Sequence, residues 1–206
     1  MKKLILGLAT VALAAGMSFA GDISVGGRAA VNLSTFWGDD IDDAPWSFGF
    51  NAGVDGKIGI NDMISVVPEV GVDMRRVSED DEYTWTTWAI DIPVLARFAV
   101  APQFFLEVGP SFDFILSSTM EFDNEAVSLT GEKEIDFGDG DDINTFEFGI
   151  VAGAGYSVMP NLDINIRFAM GITSIVDSKM NVAGLELGWD DVENMQIQLG
   201  ATFWFL

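Results

Sequence analysis

The stretch Leu162-Asp163-Ile164-Asn165-Ile166-Arg167-Phe168-Ala169-Met170-Gly171-Ile172 decides the fold. Every even position is large and apolar, and every odd one is polar or small. A period of two belongs to a β-strand whose faces meet different surroundings; a helix would mix the two sets on each face. Seven further segments behave alike: 23–37, 46–60, 64–74, 84–100, 104–116, 146–158 and 197–205. In 46–60, for example, Trp46, Phe48, Phe50, Val54, Ile58 and Ile60 oppose Ser47, Asn51, Asp55 and Lys57.

The apolar faces of these eight segments carry no charge at all. The polar faces carry thirteen: Arg28, Asp55, Lys57, Glu69, Asp73, Arg75, Asp91, Arg97, Glu107, Asp113, Glu147, Asp163 and Arg167. Several segments reach 13 residues or more, well beyond the ~5–6 of an ordinary soluble strand and enough for the ~9–11 that cross a bilayer. Their connections alternate as well. Residues 61–63, 101–103 and 159–161 are tight turns, whereas 38–45, 78–83, 117–144 and 177–194 are long and acidic. Short turns alternating with long loops predict an all-β fold: an eight-stranded, antiparallel, up-and-down transmembrane β-barrel.

Two arrangements share this pattern. A soluble barrel turns its apolar face inward, and a membrane barrel turns it outward. Three features favour the second. Eleven of the 22 glycines lie on the polar face, where a narrow interior needs small residues. Aromatic residues gather at the strand ends: Trp37, Trp46, Tyr83, Trp85 and Trp88 toward the long loops, and Phe98, Phe104, Tyr156, Phe203 and Phe205 toward the turns. That is the distribution of two interfacial girdles. The chain also ends on an aromatic strand, although Leu206 rather than Phe is last. Pro68, Pro93 and Pro110 fall within strands, where a missing N–H predicts bulges or register breaks.

Residues 1–20 form a separate unit. Lys2 and Lys3 precede the apolar run 4–15, and Ser18 and Ala20 stand at −3 and −1 of a cleavage before Gly21. This predicts a cleaved signal peptide, export across the inner membrane of a Gram-negative cell, and a barrel domain over 21–206 in the outer membrane. The apolar run is too short for a transmembrane helix of ~20 residues.

Composition narrows the chemistry. With 32 acidic and 10 basic residues the chain carries −22, which excludes the basic face nucleic acid requires. Zero Cys and zero His remove disulfides, thiol nucleophiles, most zinc sites and His-based acid–base catalysis. No enzymatic activity and no resident cofactor are expected.

Four strands also resemble a known family. Asp91-Ile92-Pro93-Val94-Leu95-Ala96-Arg97-Phe98, Phe105-Leu106-Glu107-Val108-Gly109-Pro110-Ser111, Phe146-Glu147-Phe148-Gly149-Ile150-Val151-Ala152-Gly153-Ala154-Gly155-Tyr156 and Ile164-Asn165-Ile166-Arg167-Phe168-Ala169-Met170-Gly171-Ile172 follow, in order, motifs of PorT-type small outer-membrane β-barrels. The resemblance implies the barrel fold, and Pro93 and Pro110 match its pattern. The secretion role of the name-giving member is not carried over.

Two groups of residues are candidate sites. The inward charges are expected to plug the lumen through mutual pairing, with Arg28, Glu69, Asp91, Arg97, Glu107 and Arg167 as its network. The loops hold 22 of the 32 acidic residues. Most of that acid reads as solvated surface; the segment with Asp136, Asp139, Asp141 and Asp142 is a candidate Ca²⁺ site, although its spacing is not that of an EF-hand. Expected partners are outer-membrane lipids, the barrel-assembly machinery and a surface ligand or envelope partner, met by a monomer. The expected role is structural or surface-interacting; a narrow channel or a secretion- or transport-associated barrel is the alternative.

Overall fold

The computed structural model describes residues 22–38, 44–79, 83–122, 134–136, 144–174, 181–182, 185–186 and 192–205. Eight strands form the barrel: β1 (Ile23–Trp37), β2 (Ser47–Gly59), β3 (Ile64–Glu79), β4 (Tyr83–Ala99), β5 (Phe104–Phe122), β6 (Phe146–Met159), β7 (Leu162–Gly171) and β8 (Glu193–Trp204). Each pairs antiparallel with its neighbours in sequence, and β1 pairs with β8 from Gly26↔Trp204 to Trp37↔Glu193, so the sheet closes without an edge. No helix among the described residues is long and apolar enough to cross a membrane.

Short turns and both ends of the barrel share one rim. At the β2–β3 turn, Asn61 Oδ1 accepts hydrogen bonds from the backbone N–H groups of Met63 and Ile64, both at 2.9 Å, an Asx turn that the residue type favours. Phe205 N–H donates to the Val25 carbonyl at this rim. At the opposite rim β4 and β5 stay paired out to Tyr83↔Phe122, whereas β5 and β6 pair only as far as Phe114↔Phe146. The β4–β5 hairpin therefore projects beyond the barrel, and a short strand, Glu134–Asp136, pairs along it.

The apolar faces point out. Val31, Phe48, Val54, Ile166 and Leu199 are each more than half exposed, with ring pairs Phe50–Trp88 near one rim and Phe104–Tyr156 near the other. Exposed apolar surface on this scale is a lipid-facing belt. Trp85 departs from the girdle expected of it. It turns inward, buried, donating from Nε1 to Ser118 Oγ at 2.6 Å and meeting Phe36 edge-on. Its parity within β4 is that of the polar face, and a hydroxyl there satisfies the indole N–H.

The prolines do not shift the register either. Pro68 pairs with Val94, and the β2–β3 ladder lapses beside it while keeping one register on both sides. The β4–β5 ladder lapses between Pro93↔Ser111 and Ala96↔Val108 without slipping, and Pro110 sits in an unbroken β5–β6 run. A ladder can omit the bonds a proline cannot donate without inserting a residue. The β4–β5 irregularity lies instead at Trp88/Ala89.

Candidate functional site: the charged lumen

The inward face holds buried polar side chains along the full length of the barrel. All the inward charges expected from alternation are buried here except Lys57, which is half-buried at the turn rim with Nζ 4.5 Å from the Trp204 ring. They form two clusters.

The cluster nearer the turn rim contains the six network residues named from sequence. Arg167, on β7, donates from Nη1 and Nη2 to both carboxylate oxygens of Glu69 on β3, at 2.8 and 2.7 Å, and from Nε to Glu107 at 3.0 Å. Glu107 also pairs with Arg97 at 2.7 Å, and Arg97 reaches Asp163 at 2.7 Å. Arg28 lies 3.2 Å from Glu69 and 3.3 Å from both Asp55 and Asp91. Forked Arg–carboxylate contacts of this kind fix geometry as well as charge.

The second cluster, toward the loop rim, centres on Arg75. Its guanidinium meets Asp73 at 2.7 Å, Asp113 at 2.6 Å and Glu147 at 2.5 Å. Neutral side chains complete it: Asn32 and Gln196 donate to Asp73, and Asn194 donates to Glu147. Alternation places Arg75 inside, beside Asp73 on the same strand, but gives no sign that it is a centre, because Asp113 and Glu147 lie on other strands.

Glycine makes room for these groups. A Cβ on Gly171 would stand 2.2 Å from Glu147 Oε1, and one on Gly155 would stand 2.2 Å from the Phe105 ring. Phe105 in turn lies under Arg97, 3.9 Å from ring centroid to guanidinium carbon. Apolar residues at polar-face parity complete the filling: Val67, Leu95, Val151 and Trp204 pack together, and Trp204 Nε1 donates to Asp163 at 2.8 Å. Sequence reasoning passed over these four, yet Trp204 between outward Phe203 and Phe205 was marked by parity alone. A cavity of about 20 Å³ remains beside the Arg75 cluster, room for one water-sized species.

Of the calcium candidates, Asp139, Asp141 and Asp142 lie outside the described residues, and Asp136 is described only as the last backbone position of its short strand. Among the described residues no group of three or more acidic side chains is arranged to hold a metal ion.

A filled, charge-in, lipid-out barrel narrows the kinship. Residues 14–177 match the family model described as outer membrane protein beta-barrel domain. The chain belongs to this family. No curated protein matches it in sequence. Among solved structures it is similar to Neisserial surface protein A, at 12% identity and a TM-score of 0.55 over 88% of this chain and 98% of that one. It is also similar to Ail, the attachment invasion locus protein of Yersinia pestis, at 14% identity and a TM-score of 0.52 over 91% and 100%. At such identities the likeness concerns the fold. Family and fold together place the protein in the outer membrane.

Proposed function

We propose that this protein is a non-enzymatic, non-conducting outer-membrane barrel that acts through its acidic loops as a structural or surface-interacting component of the envelope. The observation that carries the proposal is the middle of the lumen, where ion pairs link strands across the barrel and packed side chains surround a cavity of only about 20 Å³. A barrel whose middle is filled in this way leaves its rims as the surfaces available to partners. The loop segments hold 22 acidic residues and two lysines, Lys133 and Lys179, so a cationic partner or surface is favoured and an anionic one repelled. Here the protein differs from Ail, which has been crystallised with the heparin analogue sucrose octasulfate. The leader over residues 1–20 would deliver it to the periplasm, and the aromatic last strand would engage the assembly machinery.

Cells expressing the full chain should adhere to polylysine-coated more than heparin-coated surfaces. Replacing Asp39, Asp40, Asp42, Asp43, Glu79, Asp80, Asp81 and Glu82 by their amides should reduce that difference. Equal adhesion by both forms, with unchanged dye exclusion by the envelope, would remove the loop-based reading.

A further inference from the structure

Charge inside the barrel does not balance. The two clusters hold eight buried carboxyl groups against four buried guanidiniums. The mismatch is sharpest where Asp91 on β4 and Asp113 on β5 are direct cross-strand partners, an arrangement that like charges disfavour. Arg28 on β1, which Asp91 shares with Asp55 and Glu69, stays 3.3 Å from Asp91 Oδ2. Arg75 on β3, which Asp113 shares with Asp73 and with Glu147 on β6, approaches Asp113 Oδ2 to 2.6 Å. Asn51 on β2 donates from Nδ2 to Asp91 Oδ2 at 2.9 Å. Arg167 on β7 borders the same space but is bound to Glu69 and Glu107, and β8 presents only the neutral Gln196 and Gln198 there. Asp113 Oδ1 is buried and meets no amide, hydroxyl or guanidinium donor. The two carboxyl groups nevertheless hydrogen-bond each other. Ionised carboxylates only accept, so such a bond exists only when one of the two carries a proton.

We propose that Asp91 and Asp113 share one proton at neutral pH, carried by Asp91 and donated to Asp113, as a fixed part of the folded barrel. Neighbouring carboxyl groups that cannot both ionise hold a proton in this way. The shorter arginine contact keeps the negative charge on Asp113. Asp91 accepts from Arg28 and Asn51 through Oδ2, which leaves its other oxygen to carry the proton. An unfolded chain holds no such proton at neutral pH, so folding takes one up. Stability is then greatest on the acid side of neutrality and falls as pH rises, the folding constant dropping about tenfold per pH unit. The chain has no His and no Cys, the side chains that ordinarily titrate near this range. The neutral window therefore reports on the pair.

The test is infrared spectroscopy of the full chain refolded into vesicles at about pH 7.5, where ordinary acidic side chains are ionised. The expected result is a C=O stretch of a protonated carboxyl group that shifts in D₂O and is absent from Asp91→Asn. The amide of that variant keeps the Arg28 and Asn51 contacts through its oxygen and donates to Asp113 in place of the proton. Its urea midpoint should stay level between about pH 6.5 and 8.5, while that of the unaltered chain falls. No protonated-carboxyl band in the unaltered chain overturns the proposal, as does a band that survives Asp91→Asn or an unaltered-chain midpoint that stays level. A water in the adjacent cavity, donating to Asp113 Oδ1 with both carboxylates ionised, would give the first of these contrary results. Should the variant fail to fold, the band and the pH profile of the unaltered chain decide.

Discussion

Arg167 and Glu69, 98 residues apart in sequence, meet inside the barrel through two hydrogen bonds of 2.7 and 2.8 Å. Both residues are buried, and each is held by a second partner, Glu107 for the arginine and Arg28 for the glutamate. The pair ties β7 to β3 across the lumen. Its net worth is modest, because desolvation offsets most of the attraction; losing one partner is another matter.

Arg167→Met should therefore destabilise the barrel by about 3–5 kcal/mol, since it strands Glu69 in the interior. Arg97→Ala should act similarly through Glu107 and Asp163. The double variant Arg167→Met, Glu69→Leu should recover most of the loss, because removing both charges leaves less uncompensated. Urea unfolding in vesicles, read by heat-modifiable migration on gels, would check this; a double variant as damaged as the single one would contradict the pairing.

Small residues inside the barrel should resist enlargement where charge or ring atoms crowd them. Gly171→Ala and Gly155→Ala, whose new methyls would stand 2.2 Å from Glu147 and Phe105, should each cost about 1–3 kcal/mol by overpacking. At Gly59 the nearest atom is 3.5 Å away, an ordinary contact, so Gly59→Ala should leave the unfolding midpoint unchanged.

The lipid-facing belt predicts a cost that depends on depth. Leu199, paired with Val31 and Ile166 midway along its strand, should lose about 2–4 kcal/mol on replacement by arginine. Met63, in the β2–β3 turn, should lose about 0–1 kcal/mol. Equal costs at the two positions, measured by unfolding from bilayers, would argue against a membrane belt.

Much of this architecture was legible in the sequence because alternation is a local signal. The run Leu162–Ile172 declares its two faces without reference to any other strand, and parity assigned Arg28, Glu69 and Arg167 to the interior. Partner choice is not local. Nothing near Arg75 announces Asp113 and Glu147, which reach it only because the strands stagger as the sheet closes. Trp85 was misassigned for a related reason: counting aromatics near strand ends overlooked the parity that turns its ring inward. The prolines misled differently, since a missing donor can be absorbed by omitting a ladder bond as well as by inserting a residue.

The central claim is that paired charges and packed side chains fill the lumen, and single-channel recording of the refolded full chain in planar bilayers tests it most directly. A filled barrel should give no discrete conductance steps at either polarity, in NaCl or in KCl. Reproducible unitary currents from the unaltered protein would contradict it and favour the narrow-channel reading instead.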